Sequence, residues 1–236
     1  MMARLARISV VNVPHHVTQR GNARQFLLAS DSERLVYLEL LRHYAKLHDL
    51  SLLGYCLMSN HVHLVILPRR AESLALALKH THGRYASYWN ASHRSSGHAW
   101  QGRFYSCPLD DAHLWIALRY TELNPERARL VAKAESWSWS SAAAHCGITH
   151  ADPCLDTELW AKRWSCAGWR EYLASGESPS DVVAIRKCTH TGRPLGNREF
   201  VRSLEQATSR CLEPQKGGRP RTTLPPRQQT ELAFNK

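Results

Sequence analysis

Leu57-Met58-Ser59-Asn60-His61-Val62-His63-Leu64-Val65-Ile66-Leu67 reads as a strand entered through a tight polar turn at Ser59-Asn60. Side chains alternate faces along a strand. His61 and His63 therefore share one face, while Val62, Leu64 and Ile66 share the other. Two imidazoles about 6–7 Å apart along a strand can chelate one metal ion. The apolar face asks for a core. What the rest of the chain must supply is a third ligand and a reaction.

The chain has 236 residues, enough for one large or two small domains. Its net charge of +11 favours an anionic partner, nucleic acid first. The charge is not spread evenly. Residues 1–130 carry 16 Lys+Arg against 9 Asp+Glu, and residues 186–236 carry 11 against 4. Residues 131–185 carry 4 against 7, an acidic spacer between two basic blocks. The seven cysteines never stand as C-x-x-C, which fits reduced thiols in a cytoplasm and argues against a disulfide framework or a zinc finger. No long apolar run opens the chain, so no signal peptide is expected. No stretch approaches ~18 apolar residues, so no membrane span is expected.

The β-branched run from Ser9 to Arg20 predicts a first strand that meets a turn at Gly21-Asn22. Ser30 or Asp31 can cap a helix reaching about His48. Leu52–Met58 and His61–Leu67 form a hairpin through Ser59-Asn60. Glu72 to about Asn90 is helical. Trp100–Cys107 reads as a fourth strand closed by Pro108, and Asp110-Asp111 caps a helix to Leu123. The order β-α-β-β-α-β is the ferredoxin-like split pattern, an α+β fold with an antiparallel sheet and helices on one face. On that pattern the histidine face is the open one, because Val62, Leu64 and Ile66 need the helices. Three parts are expected: a catalytic domain over residues 1–135, a Trp-rich helical region over 136–212, and a basic, disordered tail over 213–236.

Two histidines do not complete a metal site. In Tyr120-Thr121-Glu122-Leu123-Asn124-Pro125, Tyr120 and Asn124 are four residues apart and share a helix face if the helix extends that far. An Asn124 carbonyl oxygen then makes a third ligand, and Tyr120 a nucleophile beside the ion. Such a donor set suits Mg²⁺ or Mn²⁺ polarising a phosphate, with a covalent phosphotyrosine as product. Blander readings stand beside this one. His-x-His recurs at His80 and His82 in a chain with 14 histidines. Asn124 could cap a helix begun by Pro125, and Tyr120 could be a core tyrosine. Tyr85, Tyr88 and Tyr105 compete for the role of nucleophile. Arg103, on the face opposite Phe104, suits a phosphate contact, as do Arg20 and Arg24 around the Gly21-Asn22 turn.

Four blocks together carry a resemblance: Pro14-His15-His16-Val17-Thr18-Gln19-Arg20-Gly21-Asn22, His61-Val62-His63, Trp100-Gln101-Gly102-Arg103-Phe104, and Arg119-Tyr120-Thr121-Glu122-Leu123-Asn124-Pro125. They resemble the single-tyrosine HUH transposases, IS200-like, and within them the REP-associated tyrosine transposases of bacteria. The resemblance spans roughly residues 3–135. It implies the ferredoxin-like fold and a soluble protein of the bacterial cytoplasm and nucleoid, a monomer or a homodimer. It implies cleavage and rejoining of single-stranded DNA near hairpins through a 5′-phosphotyrosine. Carried over, His61, His63 and Asn124 hold a divalent metal and Tyr120 is the nucleophile. Asn124 stands where insertion-sequence relatives tend to have Gln.

In the tail, Gly217-Gly218-Arg219-Pro220-Arg221 resembles the core of a minor-groove AT-hook, although a plain basic tail gripping phosphates through Arg219 and Arg221 explains it more simply. Two other functions stay open at this level. One is a hairpin-binding protein without catalysis, and the other is a metal-dependent nuclease that uses water in place of Tyr120.

Overall fold

The fold is known from a computed structural model, which describes residues 7–149 and 154–213. Four strands form one antiparallel sheet: β1 (His15–Arg20), β2 (Leu50–Leu57), β3 (His61–Pro68) and β4 (Tyr105–Pro108), in the order β2-β3-β1-β4. Helix α1 (Asp31–Leu47) joins β1 to β2, and α2 (Ser73–Ser92) joins β3 to β4. This is the β-α-β-β-α-β arrangement that the sequence predicts. Ser30, rather than Asp31, caps α1: its hydroxyl accepts from Glu33 N, and Glu33 Oε2 accepts from Ser30 N at 2.7 Å. That reciprocal pair satisfies two amides the helix itself leaves without partners.

The first and last strands are shorter than expected. Asn12 takes a positive φ of 58°, so the extended run begins only at His15. Gly102, at φ 121°, interrupts the Trp100–Phe104 stretch, and β4 starts at Tyr105. Arg103 therefore lies outside the strand, in the bend before it.

Both faces of the sheet are covered. Val17, Leu57, Val62, Leu64 and Ile66 meet α1 and α2 through Tyr37, Leu41, Leu74, Leu78 and Tyr85 in one core. The opposite face, expected to be open, carries Val65, Leu67 and Cys107 beyond the histidines. Those apolar side chains bury under α3 (Asp111–Glu122) and the C-terminal region. Burial of about 25 cal/mol per Å² of apolar surface is reason enough for a cover there. α3 comes close because Gly54 of β2 has no side chain: a Cβ would stand 2.1 Å from Leu118 Cδ1. Among the described residues, the histidine end of this face is left as a cleft.

The chain then continues through α4 (Asn124–Arg127), α5 (Ala142–His145), α6 (Glu158–Ala161), α7 (Cys166–Ala174), α8 (Pro179–Thr191) and α9 (Arg198–Thr208). Trp160, Trp169, Leu173, Ile185 and Leu195 join the core under α3, so the C-terminal region packs on the sheet. No helix among the described residues is long and apolar enough to cross a membrane. The expected disordered tail, with Arg219 and Arg221, lies outside the described residues from 214 onward.

Two core histidines make the fold acid-sensitive. His82 lies against Tyr37, with Nε2 3.0 Å from its hydroxyl, and burial pulls its pKa from 6.5 to about 3. Burial also pulls His15 to about 4, against hydrogen bonds to Val13 and Ile8 that act the other way. Both pKa values are depressed on folding, so the unfolded chain binds more protons once pH drops below about 6.5. Their stabilising effect is full above that pH and fades toward pH 3–4. Between pH 7.5 and 5 the two together are expected to remove about 4 kcal/mol of stability. Urea midpoints measured across that window check this, and a flat profile down to pH 5 would rule it out.

Candidate active site

Cross-strand pairing assembles the cleft. Arg20 lies opposite His61, and Thr18 lies opposite His63 on one side and Tyr105 on the other. His16 lies opposite Val65 and Cys107. Residues 16, 18 and 20 of β1, 61 and 63 of β3, and 105 of β4 thus share one face. α3 brings Tyr120 over this face, and α4 brings Asn124 and Arg127. Arg186, Thr189 and His190 enter from α8. These side chains, with Gln101 and Ala128, line a cleft of about 600 Å³.

Of the residues singled out in the sequence, His61, His63, Tyr120, Asn124 and Arg20 come together here, whereas Arg24 and Arg103 do not line the cleft. Leu123 stays near-helical (φ −76°, ψ 0°), so the helical path of α3 continues into α4 and keeps residues 120 and 124 on one side. The Asn124 side chain caps no helix, and its buried amide nitrogen has no hydrogen-bond partner. Of the competing tyrosines, Tyr85 gives its hydroxyl hydrogen to Leu27 O inside the core. Tyr88 packs at the edge of the same core. Only Tyr105 shares the cleft with Tyr120, its ring stacked on His190 with centroids 5.0 Å apart.

Tyr120 is 5% exposed and held from several sides. Its ring meets those of His16 and His63 edge-on, each with centroids 5.6 Å apart. The Arg127 guanidinium lies 4.2 Å from its ring centroid and donates to its carbonyl at 3.2 Å. Glu177 anchors that guanidinium. The Tyr120 hydroxyl accepts from Arg186 Nε at 3.3 Å.

The two strand histidines are neutral. Burial, then Arg20 and Arg127, lower His61 to about 4. Burial is also the main reason His63 lies well below 6.5, followed by His61, His16 and the two arginines. Asn60 settles where the His61 proton sits. Its amide nitrogen donates to Arg24 O at 3.4 Å, which leaves Oδ1 to face His61 Nδ1 at 2.6 Å. An oxygen can only accept, so Nδ1 carries the hydrogen and Nε2 keeps its lone pair. Among the described residues no three His, Cys, Asp or Glu side chains gather around one metal position. A third protein ligand at this cleft would have to be an amide, a hydroxyl or a phenol.

His16, Arg127, Arg186 and Thr189 were missed as site residues. Arg127 had a signal: it lies seven residues, two helical turns, after Tyr120. The residues of α8 had none, since they lie more than sixty positions further on, where the acidic spacer gives way to the second basic block.

No curated protein matches this sequence. Among solved structures, a REP-associated tyrosine transposase bound to a REP hairpin is similar over 66% of this chain and 96% of that chain, with 13% identity and a TM-score of 0.54. That likeness is one of fold. A candidate transposase from Deinococcus radiodurans R1 is similar over 54% of this chain and 92% of that chain, with 16% identity and a TM-score of 0.36. The family model described as "Transposase IS200 like" matches residues 9–124. Over that segment, which holds the whole sheet together with Tyr120 and Asn124, the chain is similar to the IS200-like transposases.

Proposed function

We propose that the protein cleaves and rejoins single-stranded DNA at hairpin-forming sequences, through a 5′-phosphotyrosine on Tyr120. The observation that carries this is the shared cleft, which Tyr120, His61, His63 and Asn124 all line. The phenolic oxygen attacks phosphorus, and the bond from phosphorus to the 3′-oxygen breaks. The phenol gives up a proton and the leaving oxygen takes one up. The 5′-phosphate stays esterified to Tyr120, so the bond energy is kept for the reverse attack by a 3′-hydroxyl. Arg186, already at the Tyr120 hydroxyl, and Arg20 face the incoming phosphate. Arg24, Arg103 and the tail arginines Arg219 and Arg221 serve the flanking DNA backbone.

His61 and His63, through Nε2, and Asn124, through its amide oxygen, are the residues that would hold Mg²⁺ or Mn²⁺. The fit rests on the neutral imidazoles, on the Asn60 contact that leaves His61 Nε2 its lone pair, and on an Asn124 side chain not spent on a cap. The ion would supply Lewis-acid polarisation of the scissile phosphate. The donor set is uncharged, and Arg20 and Arg127 stand beside it, so binding should tighten once DNA brings its own anionic oxygens. The REP-associated tyrosine transposase of similar fold is bound to a REP hairpin, which supports a hairpin as the substrate here.

The test is incubation with labelled hairpin-bearing single-stranded DNA and Mg²⁺ or Mn²⁺. A protein–DNA adduct that survives denaturation, and that a chelator prevents, is expected. Cleavage without an adduct would point to water as nucleophile, and binding without cleavage to a hairpin-binding module.

A further inference from the structure

His16 is fully engaged. Its Nε2 lies 3.0 Å from His63 Nδ1, and its Nδ1 lies 2.8 Å from Thr189 Oγ1. Thr189 Oγ1 lies 3.3 Å from Cys107 Sγ. All four groups are buried. A neutral imidazole has one N–H and one lone pair, so the chain can run in only two directions. In one, the Thr189 hydroxyl donates to Cys107 and accepts from His16 Nδ1–H, while His16 Nε2 accepts from His63 Nδ1–H. His63 Nε2 then keeps a lone pair. In the other, every donor and acceptor is reversed, and His63 Nε2 carries a hydrogen that bars it from any cation.

The surroundings choose between them. The free edge of His63 looks into a cleft that also holds Arg20, Arg127 and Arg186. An imidazole set among guanidinium groups is steadier with its lone pair, not its N–H, turned toward them. The His61 ring, fixed by Asn60, already has that orientation.

We propose that His16 is a positioning residue which, anchored by Thr189 of α8, holds His63 in the Nδ1–H tautomer with its Nε2 lone pair on the cleft. The proposal rests on the reading of His63 as a ligand, and it makes the C-terminal region part of the site. Thr189 lies outside the segment that matches the family, yet it fixes the last link of the relay. Partners of this kind orient metal-bound histidines, and losing one typically weakens metal binding about 10–100-fold.

Two measurements on the full-length protein test this. Nitrogen-15 NMR of the histidine rings, without metal, reads the tautomers directly. Wild type is expected to show His63 and His16 both as Nδ1–H. In His16→Leu, His63 should become a tautomer mixture. His16→Gln, whose side-chain oxygen can still accept from His63, should restore Nδ1–H. Free Mn²⁺ followed by electron paramagnetic resonance should show weaker binding by about 10–100-fold in His16→Leu and by several-fold in Thr189→Val. Binding in His16→Gln should return to within a few-fold of wild type. A wild-type His63 with hydrogen on Nε2 overturns the proposal. So does a folded His16→Leu protein that keeps both the wild-type tautomer and wild-type Mn²⁺ affinity. Wild type with the expected tautomers but no bound Mn²⁺ supports the relay and counts against the metal-dependent reading of the site.

Discussion

Tyr120→Phe is expected to abolish the covalent protein–DNA adduct while leaving the protein folded and able to bind hairpin DNA. The change removes one oxygen and nothing else. The ring keeps its edge contacts with His16 and His63 and its place beneath Arg127. The single described hydrogen bond lost is that from Arg186 Nε, at 3.3 Å to a part-buried hydroxyl, so stability should fall by no more than ~1 kcal/mol. Activity should fall to background, because no other atom on that ring can attack phosphorus. Denaturing electrophoresis of labelled hairpin DNA reads the adduct, and a urea midpoint and a binding isotherm read the rest. An adduct that persists would transfer the nucleophile to Tyr105, the other tyrosine of the cleft, and Tyr105→Phe would then remove it. Cleavage that persists without an adduct would sink covalent catalysis altogether.

The second large effect concerns stability. Glu122→Ala is expected to cost roughly 4 kcal/mol, and Glu122→Gln about half of that. Glu122 is two residues from Tyr120 but turned into the core, with no exposed side-chain surface. One carboxyl oxygen accepts from Ser141 Oγ and His145 Nδ1, and the other from Trp169 Nε1 at 2.8 Å. Ser141 in turn receives Tyr55 N of β2 at 3.0 Å. One side chain therefore binds α3 to the sheet, α5 and α7. Alanine leaves His145 Nδ1 and Trp169 Nε1 without acceptors, leaves Ser141 Oγ only the Tyr55 carbonyl at 3.4 Å, and opens a cavity. Glutamine keeps one oxygen but presents an amide N–H₂ group to at least one donor. Urea unfolding measures both. A Glu122→Ala midpoint within ~1 kcal/mol of wild type would mean that water or a shifted side chain takes over those bonds.

The order of strands and helices could be read from the sequence because it is written locally: alternation in residues 61–64 running into an apolar stretch, a capping serine before α1, and turn residues at Ser59-Asn60 and Gly21-Asn22. Gly102 and Asn12 shortened two strands because a single backbone angle ends an extended run, and residue type hints at such an angle without fixing it. The covered second face was missed for a different reason. Val65 and Leu67 continue the histidine face, and only a count beyond the first turn of β3 shows that this face is half apolar. The cleft followed the same division. His61, His63, Tyr120 and Asn124 come from short spacings and were visible. Arg186 and Thr189 reach it only through tertiary packing of α8 on β4 and β1, which no local pattern encodes.

The antiparallel register of β1 against β3 has one more consequence. Where β1 pairs with the start of β3, Val17, Val62 and Leu64 face the core while His16, Thr18, Arg20, His61 and His63 face the cleft, so the core and the chemistry sit on opposite sides of a single ladder. Sliding β1 by one residue would turn His16, Thr18 and Arg20 into the space filled by Tyr37 and Leu41, and would lift Val17 into the cleft. Val17, Val62 and Leu64, which can touch neither metal nor DNA, act as the keyed teeth that decide which side chains meet at the cleft.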